Sequence, residues 1–256
     1  MNRKPEPGGG ITMAMPIKTG AESDLSLSLD ALALMRLFQL SSPSLPTGGF
    51  AYSQGLEWAI EAGWIKTAKD LEHWLTDLLH HAMTRTDIPL LVRFYHAAAT
   101  KEINTFRHWA DMTLALRETR ELRMEEKNRG RALARILKQL EPDFFTHAAP
   151  GIWFDTISGC HLAGVALASA LWKIPLMSAA SGYLWSWLEN LVLAGVKIIP
   201  LGQSAGQQML LRLSSLIPEA AASGFKVKDD GIGASLFSFA IAGCRHETQH
   251  TRLFRS

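Results

Sequence analysis

Cysteine and excess charge of one sign are both scarce in this sequence. Cys160 and Cys244 are its two cysteines, and no C-x-x-C pair occurs. This excludes a disulfide framework, and we expect a reduced, cytoplasmic setting. The 26 basic residues nearly balance the 24 acidic ones, giving a net charge of +2. A broad basic field is therefore missing, and nucleic acid is not an expected partner.

Long apolar runs are missing as well. Two uncharged runs are rich in apolar residues, namely 156–172, with 17 residues, and 174–188, with 15. Crossing a bilayer takes about 20 apolar residues, and both runs contain polar side chains. We interpret them as buried helices and expect no membrane partner.

Strand-like alternation is almost absent, and the short patch VKIIPL at 196–201 is its one β-branched segment. Elsewhere apolar residues recur at helical spacing. Residues 1–24 hold three consecutive glycines and three prolines, which predicts a flexible, disordered N-terminal tail. We therefore predict one all-α domain at 25–256, a single globular bundle of about eight to ten helices.

Prolines and charges punctuate these predicted helices. Pro89 is expected to kink or split the helix at 70–99, because proline lacks a backbone donor. In residues 101–140, spacing by four predicts the ion pairs Arg117–Glu121 and Glu125–Arg129 on one face. That face is either a solvated outer surface or a docking surface for a charged partner, and Gly130 is expected to mark a bend.

The letters HETQH at 246–250 match the H-E-x-x-H pattern of zinc proteases. On one helix, His246 and His250 would share a face and Glu247 would activate water. A third ligand is required, and the sequence nominates none. The alternatives are a zinc hydrolase and a polar C-terminal segment.

No other catalytic pattern stands out. A G-x-S-x-G nucleophile elbow and a phosphate-binding loop are both lacking. A large helical core without an evident active centre favours a binding or assembly protein over an enzyme, and we expect no cofactor.

Three stretches together carry a resemblance to a known family. They are LFQLSSPSLPTGGFAYSQGLEWAI (37–60), ETRELRMEEKNRGRAL (118–133) and LENLVLAGVKIIPLGQSAGQQMLLRL (188–213), followed by HETQHTRLFRS. In order and spacing the chain resembles the urease accessory protein UreF family from about residue 30 to residue 256. The family usually has tyrosine where His250 stands, so the resemblance implies a partner-binding tail and no hydrolase.

The resemblance implies an all-helical homodimer with no nucleotide site of its own. UreF-like proteins bind UreD (also called UreH) and recruit the GTPase UreG, and the assembly delivers nickel to the urease apoprotein. The chain would be an adaptor that regulates UreG. The alternatives are a generic helical adaptor unrelated to urease and a nickel carrier with a weak site across a dimer axis.

The same resemblance nominates partner-binding residues. Arg and aromatic side chains dominate interface energies, and the tail carries Arg252, Leu253, Phe254 and Arg255. Such a tail docks either on its own domain or on UreD.

Three further positions complete the predicted partner-binding set. Tyr52 is predicted to pair with Arg255, the alternative being an ordinary half-buried tyrosine. Lys197 would face the GTPase or bind a backbone carbonyl at a helix end. Gln203 and Gln208 are predicted on the same face.

Overall fold

The structure, a computed structural model, describes residues 30–147, 151–233 and 236–256. Helices and the turns between them account for these ranges, in which no strand occurs, so the predicted all-α fold is confirmed. The helices are α1 (Ala31–Ser41), α2 (Leu56–Glu61), α3 (Ala68–Asp77), α4 (Ile88–Ala99), α5 (Ile103–Leu116), α6 (Arg120–Leu140), α7 (Pro142–His147), α8 (Ile152–Gly159), α9 (His161–Leu171), α10 (Leu176–Ile198), α11 (Gln203–Ser214), α12 (Ile217–Phe225) and α13 (Phe237–His246).

The segments outnumber the eight to ten helices expected, because the sequence pattern does not resolve pieces of six residues such as α2 and α7. The β-branched patch at 196–201 forms no strand and instead ends α10. The predicted disordered tail at 1–24 lies outside the described residues.

Helices α9 and α10 form the centre of the core. Every residue of α9 from His161 to Ser169 is buried, and α4 and α6 pack against it. Helix α10 contacts α1, α2, α11 and α12. Most of the run 156–172 thus lies inside the protein, whereas the run 174–188 buries one face and leaves Met177 and Trp185 exposed. Burial of this apolar surface drives folding.

In the part of the chain that the structure describes, no helix is both long enough and apolar enough to cross a bilayer.

Pro89 does not interrupt the helical path from α3 to α4. A π-helical segment, Leu78–Asp87, joins α3 to α4 immediately before the proline. Proline removes one hydrogen bond and crowds the carbonyl four residues earlier, here that of Arg85. That carbonyl accepts a hydrogen bond from the Gly233 N–H at 3.0 Å. The wider π turn and this outside donor absorb the proline without a break.

Gly130 serves a close contact and not a bend, because α6 runs without interruption from Arg120 to Leu140. A Cβ atom at this position would lie 2.6 Å from the Ile157 carbonyl oxygen and 3.1 Å from the Cys160 nitrogen. Glycine therefore lets α6 reach the corner between α8 and α9.

Replacement of Gly130 by alanine is expected to lower the free energy of unfolding by about 1–3 kcal/mol, the usual cost of overpacking a core. The rigid backbone of residues 157–160 has to move to admit the methyl group. Urea denaturation measures the change. The matched control is Gly159→Ala, because a Cβ there meets nothing within 4 Å. Equal stability of the two variants would contradict this account.

Candidate partner-binding site

Residues 247–256, called the tail from here on, fold back onto the protein's own domain. The Arg255 N–H donates to the Ala51 carbonyl at 2.8 Å, and the Ser53 N–H donates to the Ser256 carbonyl at 2.6 Å. The Ser53 hydroxyl also donates to that oxygen at 2.5 Å. Of the two docking modes that the sequence left open, the structure therefore displays docking on the chain's own domain.

The carboxylate of Glu57 holds the middle of the tail. Its Oε1 accepts from the Leu253 N–H at 2.7 Å, and its Oε2 accepts from the Phe254 N–H at 3.0 Å. Gly55, with φ of 80°, directs the chain into α2, and a Cβ there would lie 2.7 Å from the Gly243 nitrogen. Only glycine permits this approach of α2 to α13, which turns Glu57 towards the tail.

His246 lies fully buried between two carboxylates from different helices. Its Nδ1 is 2.7 Å from Oε2 of Glu121 on α6, and its Nε2 is 3.3 Å from Oε2 of Glu57 on α2. Glu121 also accepts from Arg252 of the tail at 2.7 Å. We call Glu57, Glu121 and His246 the clasp, because each of its two carboxylates binds both the histidine and the tail.

The geometry rules out the zinc reading of HETQH. Helix α13 ends at His246, so His250 lies beyond the helix and is exposed. Glu247 caps α6 by accepting from the backbone N–H groups of Arg120 at 2.7 Å and Glu121 at 3.3 Å. Nor do the described ranges hold any cluster of three or more His, Cys, Asp or Glu residues suited to a metal ion.

Tyr52 lies beside the tail but does not bind Arg255 through its phenol. The residue is 3% exposed, and its hydroxyl accepts from Asn128 Nδ2 at 3.1 Å. Arg255 reaches the neighbouring Ala51 through its backbone, while its side chain is exposed. The predicted pairing of the Tyr52 phenol with the Arg255 side chain is thus wrong, although the chain segments that carry the two residues do lie side by side.

Lys197 lies against the tail at the last turn of α10. Its Nζ is 5.9 Å from the ring centroid of Phe254, a cation–π distance. Phe254 is 8% exposed and belongs to the main core, whereas Leu253 is 73% exposed. We define the tail surface as Lys197 together with residues 252–255. The predicted Gln203 and Gln208 are exposed on α11, the helix that follows α10.

A buried ionic network beneath the site was missed by the sequence reading. Arg117 precedes α6 and binds Asp87 and Glu126, each at 2.6 Å, so the predicted Arg117–Glu121 pair is wrong. Tyr183 donates to Asp87 at 2.8 Å. Burial alone would lower the pKa of Arg117, but the two carboxylates more than offset burial and hold that pKa well above its usual value.

The predicted pair Glu125–Arg129 is confirmed at 2.8 Å, but it is buried and not part of a solvated face. Gln54 donates to both oxygens of Glu125 at 3.2 Å and accepts from Trp187 at 3.0 Å. These groups line a cavity of about 140 Å³ beneath the loop at 41–50. Helix α6 therefore turns Glu125 and Arg129 inward, against the expectation of an outer surface, while Lys127, Arg131 and Arg135 remain exposed.

A weak signal for the clasp was present in the sequence. Glu57 stands alone among the apolar residues of LEWAI, and an acid in such a setting is buried only with partners. The identity of those partners, from residues 246, 253 and 254, follows from tertiary contacts only.

The fold and the docked tail define an all-α protein with a surface built from its own C-terminal segment. The family model described as UreF matches residues 65–214. A "Urease accessory protein UreF" of Alcanivorax borkumensis is 51% identical over 226 residues, covering 88% of this chain and 98% of that protein. Two further proteins of the same name also match. The one from Pseudomonas putida is 46% identical, covering 88% of this chain and 98% of that protein. The one from Citrobacter koseri is 43% identical, covering 89% of this chain and 99% of that protein.

The chain belongs to the UreF family of urease accessory proteins. As the family's name states, its members are accessory proteins, and this chain is not an enzyme.

The Tyr52–Asn128 contact is testable by a double-mutant cycle in urea. Tyr52→Phe and Asn128→Ala should show a coupling energy of about 1 kcal/mol, the usual net value of such a hydrogen bond. Tyr52→Phe combined with Arg255→Ala should be additive within about 0.3 kcal/mol. Strong coupling to Arg255 and none to Asn128 would restore the pairing expected from the sequence.

Stability should fall at low pH because of His161. Burial, followed by the charges of Arg129 and Arg117, holds the pKa of His161 well below its usual value. Below about pH 6.5 the unfolded chain takes up a proton that the folded chain refuses, so up to about 1.4 kcal/mol is lost per pH unit.

Urea titrations between about pH 7.5 and about pH 5.5 measure this loss, because the window brackets the usual histidine pKa. His161→Leu should show a shallower fall over the same window, whereas the exposed control His250→Gln should follow the wild type. Parallel curves for wild type and His161→Leu would refute the assignment.

Proposed function

We propose that the chain is the adaptor of a UreD–UreF–UreG complex that inserts nickel into the urease apoprotein. In this proposal it binds UreD (UreH), recruits UreG and regulates the GTPase of that partner. Nickel is the cargo of the assembly, and the chain works as a homodimer in the cytoplasm. Sedimentation of the purified chain tests the dimer.

One observation carries the proposal: the tail holds exposed side chains on a fixed backbone. Glu57 binds the N–H groups of Leu253 and Phe254, and Phe254 is seated in the core. Leu253 nevertheless remains largely exposed. An apolar side chain on a segment whose backbone is already ordered can bind a partner at a low entropic cost.

The positive charges of the tail surface favour a partner whose contacting surface is acidic. Lys197 and Arg255 are exposed, and Arg252 is partly exposed and paired with Glu121. Arg252 and Arg255 flank Leu253 and Phe254 in the sequence, and Lys197 lies over the Phe254 ring. Arginines around an apolar anchor are typical of high-energy interface residues. We therefore propose that the tail surface meets an acidic patch around an apolar pocket, and that Gln203 and Gln208 add hydrogen bonds at its rim.

Replacement of Leu253 by aspartate should weaken capture of UreG by tagged UreD about tenfold or more, as expected for a hot-spot residue. Arg255→Glu should act in the same direction, because it reverses a charge at the contact. Coexpression with urease, followed by measurement of nickel content and urease activity, gives the functional result. Both variants should yield urease of low nickel content.

The matched control is Ile152→Asp, which changes an exposed apolar residue on α8, a helix packed on α5, α6 and α9. It should leave capture and nickel content unchanged. If urease acquired nickel equally well without the chain, the adaptor proposal would fail and a generic adaptor unrelated to urease would remain. If only Leu253→Asp and Arg255→Glu lacked an effect, the partner surface would lie elsewhere on the protein.

A further inference from the structure

We propose that the clasp is a proton-dependent latch, in which Glu57 and Glu121 hold the tail docked only while His246 carries a proton on both ring nitrogens. The clasp residues are positioning residues, since they act on a partner through the tail. The inference deepens the proposed function, because the latch would govern presentation of Leu253. Its test uses the isolated chain and does not depend on any partner.

The proton count follows from the two carboxylates that face the ring. Nδ1 lies 2.7 Å from a Glu121 oxygen and Nε2 lies 3.3 Å from a Glu57 oxygen. Neutral imidazole has one N–H donor and one lone pair, so one of these contacts would place a lone pair against a carboxylate. The imidazolium form donates to both, and its positive charge suits the position between two negative groups.

The surrounding charges balance only in the protonated state. Two negative groups, Glu57 and Glu121, face two positive ones, His246 in its charged form and Arg252. The other nearby acids are already engaged. Glu61 of α2 binds the Gln249 side chain, and Glu247 caps the amides of α6. Deprotonation of the ring therefore leaves one uncompensated negative charge beside a buried ring, which is unfavourable.

The same carboxylates connect the proton to the tail. Glu57 Oε2 lies near the ring and also accepts from the Phe254 N–H, and Glu57 Oε1 accepts from Leu253. Glu121 divides its two oxygens between the ring and Arg252. Loss of the proton leaves a lone pair against one carboxylate, and it removes the ring's positive charge from both. Their realignment releases residues 252–254, while the contacts of Ser256 with Ser53 remain.

Hydrogen exchange at the Leu253 and Phe254 amides reports this docking directly. Rates are measured at about pH 6 and about pH 9, on either side of the usual histidine pKa, and divided by those of a free peptide of residues 247–256. In the wild type, protection of the two amides should fall about tenfold or more at the higher pH, equivalent to about 1.4 kcal/mol.

Two variants distinguish a latch from a merely structural contact. Glu121→Gln should keep the tail docked but remove the pH response, because its amide can donate to Nδ1 of a neutral ring. His246→Gln should give lower protection that does not change with pH. The matched control Glu61→Gln, at a tail contact outside the clasp, should keep the wild-type response.

The proposal is overturned if wild-type protection is the same at both pH values, or if Glu121→Gln responds as the wild type does. Should His246→Gln fail to fold, as judged by circular dichroism, the Glu121→Gln comparison decides alone. Failure of the adaptor role has a different signature: the amides respond to pH, but UreG capture is insensitive to Leu253→Asp.

Discussion

The carboxylate of Glu57 joins three segments that are distant in the sequence. It binds the backbone of the tail at Leu253 and Phe254 and faces the ring of His246 at the end of α13. A buried carboxylate is costly unless such partners surround it. The close packing of α2 on α13, which requires glycine at position 55, makes this arrangement possible. The position of residues 253 and 254, at the middle of the tail surface, depends on this one group.

A second buried network gives the clasp a firm base. Arg117 connects Asp87 at the π-helical segment to Glu126 on α6, and Glu126 also accepts from the His161 N–H at the start of α9, at 2.8 Å. Because breaking a buried pair leaves an uncompensated charge, such networks fix the relative positions of helices. Helix α6 thus carries Glu121 of the clasp on a scaffold that is held from within.

For an accessory protein, this arrangement has a clear use. Membership of the UreF family makes the chain an accessory protein. In its structure the tail is ordered by contacts within the same chain, such as the hydrogen bond from Leu253 to Glu57. A partner would then meet a surface that is already formed, which lowers the entropic cost of binding. The proposed proton latch would add control over that surface without a separate regulatory domain.

The sequence by itself determined the all-α fold, since apolar residues at helical spacing and near-absent strand alternation admit little else. Its motifs also indicated the family and predicted a partner-binding C-terminal tail. Only the tertiary structure decided the partners of the charged groups. Arg117 pairs with Asp87 instead of Glu121, Tyr52 with Asn128 instead of Arg255, and His246 with Glu57 instead of a metal. Spacing along the chain predicts contacts within one helix, whereas these pairs join different segments, brought together by the packing of the core.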